Sequence, residues 1–153
     1  MNNPCEYNVR HYAALILRDK SGRYLTVHHS KKVEHQWRFP GGKVDQRELP
    51  IVAAIREAYK ELGIVVTGIR LVEITEDHFT DADVWRGHFF EVTDYDGVPS
   101  LMEKHKHDDW QYMNVSQLQR EDSHPEYEVA LNQTFPTNST SYGVASTKTS
   151  AAS

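Results

Sequence analysis

The sequence has little of what several classes of protein require. It contains a single cysteine, Cys5, so no disulfide can form within the chain, and we expect a reducing, cytoplasmic compartment. No apolar run approaches the ~20 residues that a membrane-spanning helix needs. The opening segment "MNNPCEYNVR" also lacks the apolar stretch of a signal peptide. We therefore expect no membrane partner.

Positive charge is scarce as well, because 17 lysines and arginines face 22 aspartates and glutamates, which leaves a formal net charge of -5. This balance gives no bulk attraction for a polyanion, so we expect no nucleic-acid partner. The nine histidines show neither the HExxH motif nor the Cys/His spacing of a zinc site, and we assign them no ligand role.

The 153 residues, of which 39% are hydrophobic, suit one domain with a hydrophobic core. Runs of β-branched and aromatic residues between turn signals predict a chain dominated by strands. The predicted strands lie within 12–29 (two, joined at "DKSGR") and at 36–43, 64–75, 84–95 and 109–115. Helices are predicted at 50–62 and 124–133, with a helical turn at 116–119. The fold class is α/β (α+β).

The last segment of the chain has a different composition. From Asn132 onward it is rich in serine, threonine and asparagine and poor in apolar residues. Such a segment cannot bury enough surface to offset its chain entropy. We therefore expect one domain over residues 1–131 and a flexible tail over 132–153.

The first predicted helix begins at Pro50 and ends at Gly63, both residues typical of those positions. Apolar residues at helical spacing predict its buried stripe, namely Ile51, Ile55, Ala58 and Leu62. Glu57, Lys60 and Glu61 are then expected together on the opposite face. Two carboxylates one turn apart suit one or two hard cations such as Mg²⁺, and an ordinary solvated charged face is the alternative.

A longer pattern surrounds these acids. Gly42 is followed by five residues and Glu48, then by seven residues and the pair Arg56-Glu57, and Glu61 and Gly63 complete the run. It resembles the Nudix box: Gly, five residues, Glu, seven residues, Arg-Glu, aliphatic, any residue, Glu-Glu, any residue, Gly, aliphatic. Every spacing fits, and so does each defined position but one. The resemblance covers about residues 8–131.

The resemblance implies a Nudix α/β/α sandwich with a mixed sheet, and a hydrolase acting on a nucleoside diphosphate linked to a further group. By the same resemblance, Glu57, Glu61 and the Gly41 carbonyl hold Mg²⁺, with Mn²⁺ as an alternative. Glu48 and Arg56 pair and brace the loop before the helix, as a charge-assisted Arg–carboxylate bond would allow. Members of the family often dimerise, and a homodimer stays open here.

A second pattern lies in residues 100–118. The matching residues are Met102, Glu103, Lys106, Trp110 and Tyr112, and Lys104 stands in place of a proline. They resemble a run in the MutT-like branch of the Nudix family, which cleaves nucleoside triphosphates. The resemblance implies that Glu103 is a further metal ligand or the general base, and that the substrate is a small (deoxy)nucleoside triphosphate cut to monophosphate and diphosphate.

Other side chains near the expected cleft leave alternatives open. If Glu103 points away, Asp108 and Asp109 are substitute acids, and a solvated loop is the alternative. His105 and His107 flank Lys106, where they could meet phosphate or tune the base near neutral pH. Aromatic candidates for stacking on a base are Trp37, Phe39, His78, Phe79 and Trp85, for each of which core packing or strand filling is the other interpretation.

Lys60 stands where the Nudix box usually has the first of its two adjacent glutamates. Its ammonium could swing to solvent and leave a reduced metal site. It could instead contact a substrate phosphate and replace part of a lost metal ion. It could also disable catalysis, which would leave a nucleotide-binding or regulatory protein.

Overall fold

The structure is a computed structural model, and it describes residues 8–31, 37–78 and 83–134. Cys5, His35 and Phe79 lie outside these residues, as does the segment 135–153, which holds most of the predicted tail. The last helix continues to Thr134, three residues into the segment that composition assigns to that tail.

Strands and helices follow one another in the order that the sequence predicts. The strands are β1 (Asn8–Ile16), β2 (Tyr24–His29), β3 (Trp37–Arg38), β4 (Gly41–Lys43), β5 (Val65–His78), β6 (Asp83–Asp96) and β7 (His107–Met113). The helices are α1 (Pro50–Leu62), α2 (Val115–Arg120) and α3 (Glu126–Thr134). The predicted α/β (α+β) class is confirmed.

The strands form two sheets. A four-stranded sheet has the order β4-β1-β6-β5, and a three-stranded sheet has the order β3-β2-β7. The larger sheet is mixed, because β1 runs parallel to β6 and antiparallel to β4. The single strand predicted over 36–43 is corrected to two strands, since the chain leaves one sheet after Arg38 and enters the other at Gly41. Proline supplies no backbone donor, and Pro40 lies at this crossing.

The core lies on both faces of β1, because alternate residues of a strand point to opposite sides. Ala13, Leu15 and Leu17 belong to a cluster that includes the inner residues of α1. Ala14 and Ile16 belong to a second cluster, which includes residues of α2 and α3. Helices therefore cover the mixed sheet from two sides, as expected for a sandwich.

Helix α1 begins at Pro50, and Gly63 caps its end, as predicted. Gly63 adopts a left-handed conformation (φ 70°), and its N–H donates to the carbonyl of Tyr59 at 3.0 Å. Helix α2 begins with a capping box, in which Asn114 and Gln117 each accept a hydrogen bond from the other's backbone N–H. These caps therefore determine where α1 ends and where α2 begins.

The buried face of α1 differs from the predicted stripe. Ala58 and Leu62 are buried as expected, whereas Ile51 and Ile55 are 38% and 37% exposed. The remaining inward positions are taken by Ala53, Ala54, Glu57 and Glu61. Alanine side chains let the helix lie close to the sheet, so the bulkier isoleucines turn outward. The two glutamates consequently face inward, and the expectation that they lie opposite the buried stripe is wrong.

Candidate active site

The paired glycines of β4 are required by the close approach of their neighbours. A Cβ atom on Gly41 would lie 2.0 Å from the carbonyl oxygen of Ala13, because β4 pairs directly with β1 at this point. A Cβ atom on Gly42 would lie 2.6 Å from the carboxyl carbon of Glu57. Only residues without a side chain therefore fit at these two positions without displacing a neighbour. The two glycines form a cradle in which the Glu57 carboxylate lies.

Glu61 is fully buried at the centre of the site, at 0% exposure. Its Oε1 accepts a hydrogen bond from the Gly41 N–H at 2.9 Å, and its Oε2 accepts one from Lys106 Nζ at 3.2 Å. Burial raises the pKa of Glu61 to about 7, with the Gly41 N–H and Lys106 opposing the shift. The carboxylate therefore joins α1 to the glycine pair and to the segment before β7.

Glu57 lies one turn earlier on the same face and is 3% exposed. Its Oε2 accepts a hydrogen bond from Arg56 at 2.6 Å and lies 4.0 Å from Lys60 Nζ. Its Oε1 is buried and has no hydrogen-bond partner among the described residues. Because an unpartnered buried carboxylate oxygen is costly, this atom is suited to an incoming cation.

Arg56 and Glu48 form the pair that the box resemblance implies. The Arg56 Nε donates to Glu48 Oε2 at 2.8 Å, and its Nη2 donates to Glu48 Oε1 at 2.9 Å and to the Lys43 carbonyl at 3.0 Å. These hydrogen bonds lower the pKa of Glu48 to about 2 and raise the pKa of Arg56. The two-bond contact connects the loop after β4 to helix α1.

Glu103 joins the cluster from the segment that precedes β7. Its Oε2 lies 3.9 Å from Lys60 Nζ, and its Oε1 lies 4.0 Å from Lys106 Nζ. That Oε1 is buried and lacks a hydrogen-bond partner within the described residues. The substitute acids lie elsewhere: Asp108 bonds to the His28 ring, and the Asp109 carboxylate accepts from the Trp110 backbone.

The two histidines that flank Lys106 do not reach the site as the sequence suggested. His107 is fully buried behind it, with Nε2 4.0 Å from Glu61 Oε2, and burial lowers its pKa to about 4. His105 is exposed, and neither residue lines the cleft described next. A neutral, buried His107 cannot bind phosphate as a cation, so it packs against the acid cluster instead.

A cleft of about 840 Å³ opens over the cluster. One end is lined by Glu57, Lys60 and Lys106, while Glu61 lies beneath the surface. The other end is lined by Tyr12, Arg38, Phe39, His78, Trp85 and Glu126. The cleft therefore combines a charged end with an end of aromatic and paired polar side chains.

An ion pair between the half-buried Arg38 and the buried Glu126 lies at the second end, and no sequence pattern pointed to it. Arg38 Nε donates to Glu126 Oε2 at 2.6 Å, and the Phe39 N–H donates to the same oxygen at 3.3 Å. Glu126 is 1% exposed, and its Oε1 has no hydrogen-bond partner in the described part of the chain. Burial, together with the charge of Glu126, also raises the pKa of Tyr12 to about 12.

The aromatic candidates divide into two groups. Phe39 is a core residue that reaches the cleft wall, stacked on Tyr24 at a centroid distance of 5.6 Å. Trp85 and His78 also line the cleft. Trp37 does not line it and packs on the His28 ring at 4.8 Å. Phe39, His78 and Trp85 are therefore the candidates that can meet a ligand.

The donor set of the cluster fits a divalent ion, although its oxygens are not gathered into one preformed ligand set. No three His, Cys, Asp or Glu side chains converge on one ion position in residues 8–31, 37–78 and 83–134. Two buried carboxylate oxygens, Glu57 Oε1 and Glu103 Oε1, nevertheless have no hydrogen-bond partner among the described residues. Carboxylate oxygens are the ligands that Mg²⁺ prefers. An entering ion would compete with Lys60 and Lys106 for these carboxylates.

Comparison with known proteins identifies the family. The family profile described as "NUDIX domain" matches residues 9–133, and the chain belongs to the Nudix family of hydrolases. It is a MutT-like member that acts on nucleoside diphosphate-linked substrates. Among residues 8–31, 37–78 and 83–134, no helix could serve as a membrane-spanning segment.

Two curated relatives show how far the similarity extends. The chain is 34% identical to an 8-oxo-dGTP diphosphatase of Proteus vulgaris over 88 residues, which are 56% of this chain and 77% of that protein. It is 41% identical to an RNA pyrophosphohydrolase of Bartonella henselae over 58 residues, which are 37% of this chain. The second match spans only 31% of the pyrophosphohydrolase.

Solved structures share the fold. A structure of MutT, from a study of the Aliivibrio salmonicida and Vibrio cholerae proteins, has a TM-score of 0.64 at 25% identity, covering 82% of this chain and 99% of that one. The solution structure of the E. coli ORF135 protein has a TM-score of 0.67 at 23% identity, covering 86% of this chain and 96% of that one.

Proposed function

We propose that the protein is a Mg²⁺-dependent hydrolase, also able to use Mn²⁺, that cleaves a (deoxy)nucleoside triphosphate to a monophosphate and diphosphate. One observation carries the proposal: a single cleft is lined at one end by Glu57, with the buried Glu61 beneath it, and at the other end by the Arg38–Glu126 pair. Its volume of about 840 Å³ lies within the range of small-molecule sites. The diphosphate would lie at the first end and the nucleoside at the second.

At the diphosphate end, Glu57, Glu61, Glu103 and the Gly41 carbonyl are the proposed metal ligands. When bound, the ion would neutralise phosphate oxygens and supply an activated water. The chain contributes charge and position: Arg56 holds the Glu57 carboxylate at 2.6 Å, and Lys106 holds that of Glu61 at 3.2 Å. In the alternative role that the family resemblance implies, Glu103 is the general base instead of a ligand, because its unpartnered Oε1 could accept a proton from a water.

At the nucleoside end, the Arg38–Glu126 pair offers a donor beside an acceptor. Arg38 uses its Nε on Glu126 Oε2, while Glu126 Oε1 has no partner among the described residues. A base edge that places an acceptor beside a donor would complement this pair. Trp85 and Phe39 add aromatic surface on which a planar base could stack.

The named activities of the curated relatives support a nucleotide substrate. The 8-oxo-dGTP diphosphatase of Proteus vulgaris matches over most of its length, whereas the RNA pyrophosphohydrolase matches over about a third. Together with the net charge of -5, this favours a small nucleotide over nucleic acid as the partner. We keep cytoplasmic localisation as part of the proposal, because the chain has a single cysteine.

A substrate panel tests the proposal. The purified protein is incubated with the common ribo- and deoxynucleoside triphosphates, a nucleotide sugar and ADP-ribose, in Mg²⁺, in Mn²⁺ and in excess EDTA. We expect turnover of at least one triphosphate in either metal and none in EDTA. Binding of nucleotide without turnover in either metal would contradict the proposal and support a binding protein. Lys60, placed between Glu57 and Glu103, is the observation that favours this second candidate.

A further inference from the structure

Lys60 lies within a row of alternating charges. Its Nζ is 4.0 Å from Glu57 Oε2 and 3.9 Å from Glu103 Oε2. Lys106 Nζ continues the row, at 4.0 Å from Glu103 Oε1 and 3.2 Å from Glu61 Oε2. The order along the row is therefore Glu57, Lys60, Glu103, Lys106 and Glu61. Each lysine lies between two of the carboxylates that the proposed function assigns to metal binding.

The two lysines differ in how they contact the carboxylates. Lys106 donates a hydrogen bond to the buried carboxylate of Glu61 and fixes its position. Lys60 approaches Glu57 and Glu103 only at distances too long for a hydrogen bond, and its Nζ makes none to any described residue. The N–H groups of Lys60 are consequently available to a ligand in the cleft, which its side chain lines while 49% exposed.

We propose that Lys60 serves as a built-in cation of the site, so that the metal-binding cluster takes a single divalent ion and the Lys60 ammonium binds an oxygen of the substrate diphosphate. The inference rests on the proposed function and assigns part of its charge neutralisation to the chain itself. A lysine at this position presents one positive charge where a glutamate would present one negative charge. An ammonium beside Glu57 and Glu103 opposes a further divalent ion there and attracts a phosphate oxygen.

The number of bound ions tests the first half of the proposal. Mn²⁺ is titrated into the protein without nucleotide, and bound and free ion are separated by electron paramagnetic resonance. We expect one ion per wild-type chain and two per Lys60→Glu chain. Lys60→Met should bind one ion, with higher affinity than the wild type. Lys104→Glu is the matched control. It makes the same change of charge as Lys60→Glu, at an exposed residue that lies nearby but outside the row. It should bind one ion, as the wild type does.

Two results would overturn this half. One is two or more ions per wild-type chain, and the other is the same number of ions in the wild type and Lys60→Glu. Thermal unfolding of each variant checks folding, and if Lys60→Glu fails to fold, the wild-type count and Lys60→Met still decide. A wild type that binds no Mn²⁺ at all would overturn the proposed function as well, which separates that failure from an error about Lys60.

Binding of a non-hydrolysable diphosphate tests the second half. Methylenediphosphonate is titrated calorimetrically into each protein in saturating Mg²⁺. We expect Lys60→Met to weaken binding about tenfold, since it removes a charge-assisted hydrogen bond while keeping most of the length of the side chain. Lys104→Met should bind within about twofold of the wild type. Equal affinity in the wild type and Lys60→Met would overturn the assignment of Lys60 to phosphate.

Discussion

Glu61 Oε1 accepts a hydrogen bond from the backbone N–H of Gly41 at 2.9 Å, across 20 positions of the chain. The bond connects the inward face of α1 to the end of β4, and Glu61 is fully buried beneath the cleft. The Gly41 backbone thus holds the Glu61 carboxylate in place without exposure to solvent.

Gly42→Ala should impair activity far more than stability. The added Cβ would lie 2.6 Å from the carboxyl carbon of Glu57, and that flexible side chain can move aside at little cost to the fold. We expect kcat/KM to fall roughly 100-fold, as when a metal-site partner is displaced, with less than about 1 kcal/mol lost in unfolding free energy. Enzyme assays and urea denaturation measure the two effects.

Gly22→Ala is the matched control for that substitution. Gly22 has φ +82° but open space around its Cβ position, so alanine there is strained without touching the site. We expect a stability loss of about 1 kcal/mol and unchanged activity. If Gly42→Ala behaved like Gly22→Ala, the cradle around Glu57 would have no role in the reaction.

Glu57→Gln and Glu61→Gln should each lower kcat by at least about 100-fold, because an amide oxygen carries no net charge to hold the ion. Both variants should also need a higher Mg²⁺ concentration for half-maximal rate. Glu121→Gln, at the exposed end of α2, is the control and should match the wild type. A fully active Glu61→Gln variant would exclude Glu61 from the metal site.

The Arg38–Glu126 pair should show strong coupling in stability. Glu126→Leu leaves Arg38 mostly buried without its partner and should cost about 3 kcal/mol of unfolding free energy. The double variant Arg38→Met/Glu126→Leu should recover most of that loss, since it removes both charges. Urea denaturation of the wild type, the two single variants and the double variant measures the coupling, and simple additivity of the two losses would contradict it.

His107 should weaken the fold in acid. Burial lowers its pKa from 6.5 to about 4, so the folded state takes up its proton only at lower pH than the unfolded chain does. Its share of the stability is therefore complete above pH 6.5 and is lost as the pH falls to about 4, by roughly 3 kcal/mol.

His107→Leu isolates this effect, because neither ring nitrogen of His107 has a hydrogen-bond partner among the described residues. Unfolding free energies of wild type and variant are compared at pH 7 and pH 4.5. We expect the wild type to lose more stability than the variant over this interval. Parallel losses in the two proteins would show that His107 does not titrate as its burial requires.

The spacing of the box residues was enough to predict the site residues that lie close together in the sequence. Glu48, Arg56, Glu57 and Glu61 fall on one loop and one helix, so a local pattern is enough to place them together. A second pattern, in residues 100–118, singled out Glu103, which reaches the cluster from another segment of the chain. Each of these residues belongs to a run whose spacing a short helix or loop determines.

Two features of the structure could not be predicted from local spacing. Hydrophobic periodicity selected Ile51 and Ile55 as the inner face of α1, yet the tight approach to the sheet selects alanines and the two bonded glutamates. Arg38 and Glu126 are 88 positions apart and meet only through the packing of α3 beside β3. No local spacing encodes such a pair, because its geometry depends on the whole fold.

Phosphorus NMR of the products, after incubation of the protein with a nucleoside triphosphate in Mg²⁺, tests the proposed reaction directly. We expect signals of nucleoside monophosphate and diphosphate for at least one triphosphate, absent in EDTA and strongly reduced in Glu61→Gln. Release of orthophosphate with nucleoside diphosphate, or unreacted triphosphate for every base, would contradict it.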